Sequence, residues 1–385
     1  MLIVRVANFV HASSGGLRTA LRELGRGYLA AGHQAVLIVP GPRAAEEATP
    51  YGSVVTLPGP VVPGLGGYRV LLNRAAVTRR LERLRPDRIE VHDRSTLRWL
   101  GSWARRAEVP STMVSHESLD GLLRLFGPGR SLGLRAADRL NSRTVRAFDS
   151  VVCTTGWAER EFTRLGAAPV RVPLGVDLAR FAPANRDPEL RHRLAGPDQV
   201  ILLHCGRLSA EKEPRLSLAT LAGLRSAGVD AVLVVAGDGP LRTALVREAL
   251  ERRLPATFLG HVADPLLLAA LLATADLALA PGPIETFGLA ALEALASGTP
   301  VVARSTSALP EVIGEAGVAA GGTGAAYAAA VRGLLERTPG VRRAAARAQA
   351  ERFPWSGAVD GFLSVHGLSR TPTGRVHVAD PAVSH

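Results

Sequence analysis

Short apolar runs recur along this chain, each closed by a glycine-bearing or polar loop and followed by a segment of helical length and period. LIVRVA at 2–7 leads into HASSGG at 11–16, then into Leu17–Ala31, a stop at Gly32 and a second run, QAVLIV. Strand, glycine-rich loop, helix and strand make the unit of a doubly wound sheet, because parallel strands need a crossover and a helix supplies it. RIEVH, STMVSH and SVVCTT continue the alternation. VRVPLGVDLARFAP at 170–183, broken by Pro and Gly, reads as a linker, after which the alternation restarts with QVILLHC, AVLVVAGDGP, TFLGHV, LALAPG and TPVVA. A chain of 385 residues is long enough for about two domains. The expected architecture is two facing Rossmann-like, doubly wound α/β domains, 1–175 and 176–354, with a cleft between them. Residues 355–368 read as a final helix crossing back to the first domain, and the polar 369–385 as a disordered tail.

Composition narrows the class. Hydrophobic residues make up 47% of the chain and aromatics only 4%, so the cores must be aliphatic. The two cysteines, Cys153 and Cys205, fall inside apolar runs without metal-ligand spacing, which fits a reducing compartment. MLIVRVANFV is one strand long and is not read as a signal peptide. No apolar run reaches the roughly 20 residues of a membrane-spanning helix. The net charge of +12 is unevenly placed: residues 1–175 hold 25 arginines against 14 acids. The first half is therefore expected to meet something anionic. Lys212 is the chain's single lysine.

Candidate site residues cluster in the loops. In PGPIETFGLAALEALASGTPVV (281–302), Glu285 precedes a helix N-terminus, where unpaired N–H groups favour an anion, and Glu293 lies about two turns further on. A clamp for a sugar nucleotide and an ordinary βα unit with two solvated acids both fit that spacing. Gly15 and Gly16 allow close backbone approach to a phosphate, with Arg18 just inside the helix, or are merely structural. Gly206-Arg207 with Lys212, and Gly237-Asp238-Gly239, follow the first two strands of the second half. His116 and His92 end strands of the first half, where a doubly wound sheet presents ligand groups; a capping role is the alternative. Tyr68–Arg85 reads as a basic amphipathic helix carrying Arg69, Arg74, Arg79, Arg80 and Arg83. It suits an anionic membrane surface or a plain solvated face. No aromatics interleave with the arginines to stack bases, so nucleic acid is not expected as a partner.

Together these motifs resemble a known family. SSGGLRTAL at 13–21, VPLGVDLARFAP at 172–183, GRLSAEK at 206–212, AGDGPL at 236–241 and ETFGLAALEALASGTPVV at 285–302 are similar, in order and across both halves, to the family 4 retaining glycosyltransferases of the GT-B fold. VANF, SHESLD and VVCTTG look like the actinobacterial GDP-mannose-dependent phosphatidylinositol mannosyltransferases in particular. The resemblance implies a nucleotide-sugar donor, with Arg207 and Lys212 gripping its diphosphate and Glu285, with the backbone of Thr286, Phe287, Gly288 and Leu289, holding the sugar and phosphate. It implies Glu293 on the ribose, Gly15, Gly16 and Gly237 near the phosphates, and the base against Gly260–Val262. His116 resembles the active-site histidine, although Glu117 stands where the family often has Asp or Pro. No Asp-x-Asp occurs, so a metal-independent transferase without cofactor is implied. The basic helix matches the lipid-contacting helix of membrane-associated relatives, implying an anionic phosphatidylinositol-type acceptor and peripheral contact with the inner face of the cell membrane.

The same fold also serves transferases using UDP-glucose or UDP-N-acetylglucosamine, or acting on a soluble acceptor. An epimerase or phosphorylase is a further possibility, but a phosphorylase needs a lysine for pyridoxal phosphate, and Lys212 sits in the diphosphate motif.

Overall fold

The computed structural model describes residues 1–10, 15–63, 67–126 and 130–370. The HASS of the first loop and residues 371–385 of the expected tail lie outside the described residues. Two separate sheets form. The first contains β1 (Leu2–Val6), β2 (Gln34–Gly41), β3 (Ala45–Thr49), β4 (Gly52–Pro58), β5 (Arg88–Val91), β6 (Ser111–Ser115), β7 (Ser150–Cys153) and β8 (Val170–Arg171). Its order is β3-β4-β2-β1-β5-β6-β7-β8, parallel except for β3 against β4. The second holds β9 (Val200–Cys205), β10 (Ala231–Ala236), β11 (Ala256–Gly260), β12 (Leu277–Ala280), β13 (Val301–Arg304) and β14 (Val318–Ala320), all parallel in the order β11-β10-β9-β12-β13-β14.

Both orders reverse direction beside their first strand, between β1 and β5 and between β9 and β12. Crossover helices leave a strand on opposite faces there, so the loops part and open a crevice at the carboxyl ends. Those loops carry the sequence motifs. Alternate residues of β9 serve opposite faces: Ile201 and Leu203 join Leu271, Leu292 and Leu295 on one side, and Leu202 joins Leu221, Leu233 and Tyr327 on the other. The cores are aliphatic, as composition requires.

The helix Trp355–Val365 packs on the helix Gly16–Ala30. A Cβ at Gly27 would stand 2.1 Å from Val359 Cγ2, so only glycine permits that approach. Arg88 Nε donates to the carbonyl of His366 at 2.8 Å.

The basic helix is shorter than its sequence pattern suggests, spanning Arg74–Leu84 rather than 68–85. Upstream, Arg69 bridges Val61 in antiparallel fashion, and Asn8 Oδ1 takes the Leu71 N–H at 2.8 Å. Asn73 then caps the helix by accepting from Ala76 N–H at 3.0 Å. Long-range backbone pairing overrides the helical period. Among the described residues, no helix is long and apolar enough to cross a membrane.

Candidate active site

The second sheet's switch point is built by two loops. After β9, the chain turns through Gly206 and Arg207 into the 3-10 turn Ala210–Lys212. After β12 it runs through Glu285 to Gly288, which caps the helix Leu289–Ala296 at φ +82°; a Cβ there would meet Leu309 Cδ2 at 2.2 Å. Among the described residues, no acceptor is found for the N–H groups of Phe287, Gly288 and Leu289. A helix end of this kind favours an anion. The Phe287 ring is core, edge-on to Phe353, so only its backbone is offered.

Lys212 Nζ and Glu285 Oε1 form an ion pair linking the two loops. Burial works against the ammonium, but the Glu285 carboxylate outweighs it and raises the Lys212 pKa, so Lys212 stays cationic. Arg207 donates to the Tyr68 hydroxyl at 2.9 Å and lies over its ring, 5.0 Å from the centroid, reaching across from the second domain to the first. Gly237 packs so tightly that a Cβ would stand 1.8 Å from Gly206 O, which makes it a support for the Arg207 loop.

Glu293 is half-buried, and its side chain makes no hydrogen bond or ion pair with the described residues. Burial, only partly opposed by Arg180, lifts its pKa to about 7. Val262, just past β11, is half-buried against the core.

The first domain meets these loops directly. Thr286 Oγ1 donates to the His116 carbonyl at 2.6 Å, and Thr154 and Thr155 donate to the Thr286 carbonyl at 3.2 and 2.9 Å. A Cβ on Gly16 would lie 3.8 Å from Leu289 Cδ1, so the glycine loop faces the same helix end, while Gly15 is exposed. The rings of His116 and His92 lie end to end, 5.0 Å between centroids and 22° from parallel, with His116 Nε2 2.8 Å from His92 Nδ1. Burial first, then His92, lowers the His116 pKa to about 3. His92 is thus a partner of His116 rather than a cap. Glu117 is exposed, and its carbonyl is taken by Arg94.

Only some of the predicted lipid-facing arginines are free to face outward. Arg69, off the helix, donates to Gly59 O at 2.6 Å; Arg80 pairs with Glu46 at 2.5 Å; Arg74 lies over Trp99. Arg79 and Arg83 are exposed, and Arg18 is half-buried in the first turn of its helix. Sequence reasoning missed a hollow of about 340 Å³ whose lining includes Arg74, Arg98, Arg105, Arg143 and Arg146 and no carboxylate. It also passed over Glu90, whose signal was an acid in the middle of a buried strand, RIEV.

Two doubly wound domains facing each other, with a cation–carboxylate pair and a helix N-terminus at the switch point of the second, have the GT-B architecture. Comparison with known proteins agrees. "Glycosyltransferase Family 4" matches residues 14–180 and "Glycosyl transferases group 1" matches 199–337. The chain is 49% identical, over 97% of its length and 98% of the relative's, to the GDP-mannose-dependent alpha-(1-6)-phosphatidylinositol dimannoside mannosyltransferase of Mycobacterium tuberculosis. It is 30% identical over 96% of both chains to a glycogen synthase from the same species. Among solved structures, the sucrose-phosphate synthase of Thermosynechococcus elongatus superposes with a TM-score of 0.72 at 21% identity, covering 95% of this chain and 98% of that one. HepE of Anabaena in complex with UDP and glucose gives 0.73 at 17%, covering 95% and 99%. The chain belongs to the family 4 glycosyltransferases.

Proposed function

We propose that this enzyme is a retaining α-mannosyltransferase that moves mannose from GDP-mannose to a phosphatidylinositol mannoside. The observation that carries the reading is the near full-length similarity to the mycobacterial enzyme of that name. Residues 176–354 bind the donor and 1–175 receive the acceptor. Arg207 and Lys212 neutralise the diphosphate as it departs, when its charge grows and fixed cations contribute most. Glu285 holds the sugar while pinning Lys212, the helix end at Phe287–Leu289 takes a phosphate, and Glu293 takes the ribose hydroxyls. His116 orients a hydroxyl at the reacting face. An anionic lipid acceptor is further supported by the arginine excess of the first domain and by the hollow lined with five arginines. With exposed Arg79 and Arg83, these favour peripheral attachment to the inner face of the cell membrane.

Incubating the purified protein with GDP-mannose and phosphatidylinositol mannosides tests this. A mannosylated glycolipid is expected. Turnover of a UDP-sugar instead, or of a soluble acceptor alone, sinks the assignment.

A further inference from the structure

None of the roles above uses the buried group formed by Tyr28, Glu90, His92 and His366. The Glu90, His92 and His366 side chains are at most 1% exposed. Glu90 Oε2 lies 3.1 Å from His92 Nε2, and Oε1 lies 2.7 Å from His366 Nε2 and also receives the Tyr28 hydroxyl. Arg5 is buried nearby and contributes positive charge, its guanidinium held by the carbonyls of Leu21 and Tyr51. Burial alone would raise the Glu90 pKa, but hydrogen bonds from His366 and His92 hold it well below the usual carboxylate range. Glu90 is therefore ionised and can only accept hydrogen bonds.

An ionised carboxylate at one end fixes every proton along the chain of rings. His92 must donate through Nε2, and burial keeps it neutral, so its Nδ1 holds the lone pair. His116 Nε2, 2.8 Å from that lone pair, must then carry the proton. The His116 Nδ1 has no partner among the described residues and is not enclosed. We infer that Glu90 is a positioning residue for His116. Acting through His92, it fixes the Nε2–H tautomer and so makes His116 Nδ1 a hydrogen-bond acceptor for a substrate hydroxyl. His366, at the end of the C-terminal helix, steadies the carboxylate that sets this polarity. The helix that crosses back to the first domain thereby reaches the site through one side chain.

The inference rests on reading His116 as a site residue, and the test keeps the two apart. Long-range ¹H–¹⁵N correlation on the full-length, ¹⁵N-histidine-labelled enzyme at pH 7.5 reports each ring's tautomer without substrate, with His116→Gln assigning the signal. The Nε2–H form is expected for both His92 and His116. In Glu90→Gln, the amide can turn its NH₂ toward His92 and reverse the chain. An Nδ1–H population of His116 should then appear, with kcat down roughly 10- to 100-fold and donor KM within about twofold. His366→Gln keeps a donor to Oε1 and should retain the wild-type tautomer, whereas His366→Ala should lose part of it. Wild-type His116 found as Nδ1–H or as a cation overturns the inference even if the variants fail to fold. So does a Glu90→Gln enzyme with wild-type tautomer and kcat. Unchanged turnover in His116→Gln overturns instead the reading of His116 as a site residue.

Discussion

The two domains solve opposite problems with the same fold. The core of the first carries ionised, amide and imidazole groups: Arg5, Asn8, Glu90, His92, Asp93, Arg94, Asn141 and Glu161 are all buried. Each buried acid there has partners. Glu161 takes Arg94 at 3.1 Å, Ser118 at 2.5 Å and Asn141 at 3.3 Å; Asp93 takes Asn8, Ser95 and Thr96. The second domain is nearly dry. Its buried polar residues are mostly Ser and Thr, and buried Asp276 sits just before β12, at the amino-terminal end of that central strand, bound to Arg191 and Ile201 N–H. Polar groups reach the cleft there on loops, set on a rigid aliphatic base. The first domain runs its polarity through the sheet itself, and only that arrangement can carry an influence from a distant helix to a strand-end histidine.

Opposite mutational signatures follow. Glu161→Ala leaves Arg94 as a buried, unpaired charge, which should cost about 3–5 kcal/mol. Urea unfolding should show it directly, with turnover at low temperature little changed. A loss below about 1 kcal/mol would mean that water reaches this network and that the contrast between the cores is false. Lys212→Ala in the second domain, in the role proposed for it, should do the reverse. Removing a cation that acts on a developing charge should lower kcat by roughly 10²–10³-fold, while the melting temperature moves little because the pair with Glu285 is half-exposed. Retained turnover would place the diphosphate grip elsewhere.

This division also explains what the sequence could disclose. Both sheets and the switch-point loops were legible because each rests on local signals: apolar runs, glycine at tight turns, and charged residues at strand ends. Arg207, Lys212, Glu285 and Gly288 lie in continuous motifs, and the structure gathers them on two adjoining loops. The Glu90 network was not legible, since Glu90 and His366 are 276 residues apart and meet only when the C-terminal helix docks. The basic helix was overextended for a related reason. Residues 68–73 have helical periodicity, but their backbone is claimed by Val61 and Asn8, and no local rule registers such partners. The arginine-lined hollow likewise assembles from three separate segments.

Glu293 departs from this pattern, a half-buried carboxylate that the second domain leaves without a partner. Its pKa of about 7 in the folded chain lies above the ordinary carboxylate value, so the folded state favours the protonated form. The stability this gives is full below the unfolded value and is lost as pH rises through about 7. Ribose hydroxyls need an acceptor, so donor binding should follow ionisation instead. Between pH 6 and pH 8 the donor KM should fall several-fold, up to roughly tenfold, because the diphosphate diester keeps its charge across that range. Glu293→Gln should flatten the profile and raise the melting temperature of the unliganded protein at pH 8 by a few degrees. A wild-type KM that is level from pH 6 to 8 would show that Glu293 is already ionised or lies off the ribose. The second domain would then be as fully paired as the first, and the difference between the two cores would not extend to the site.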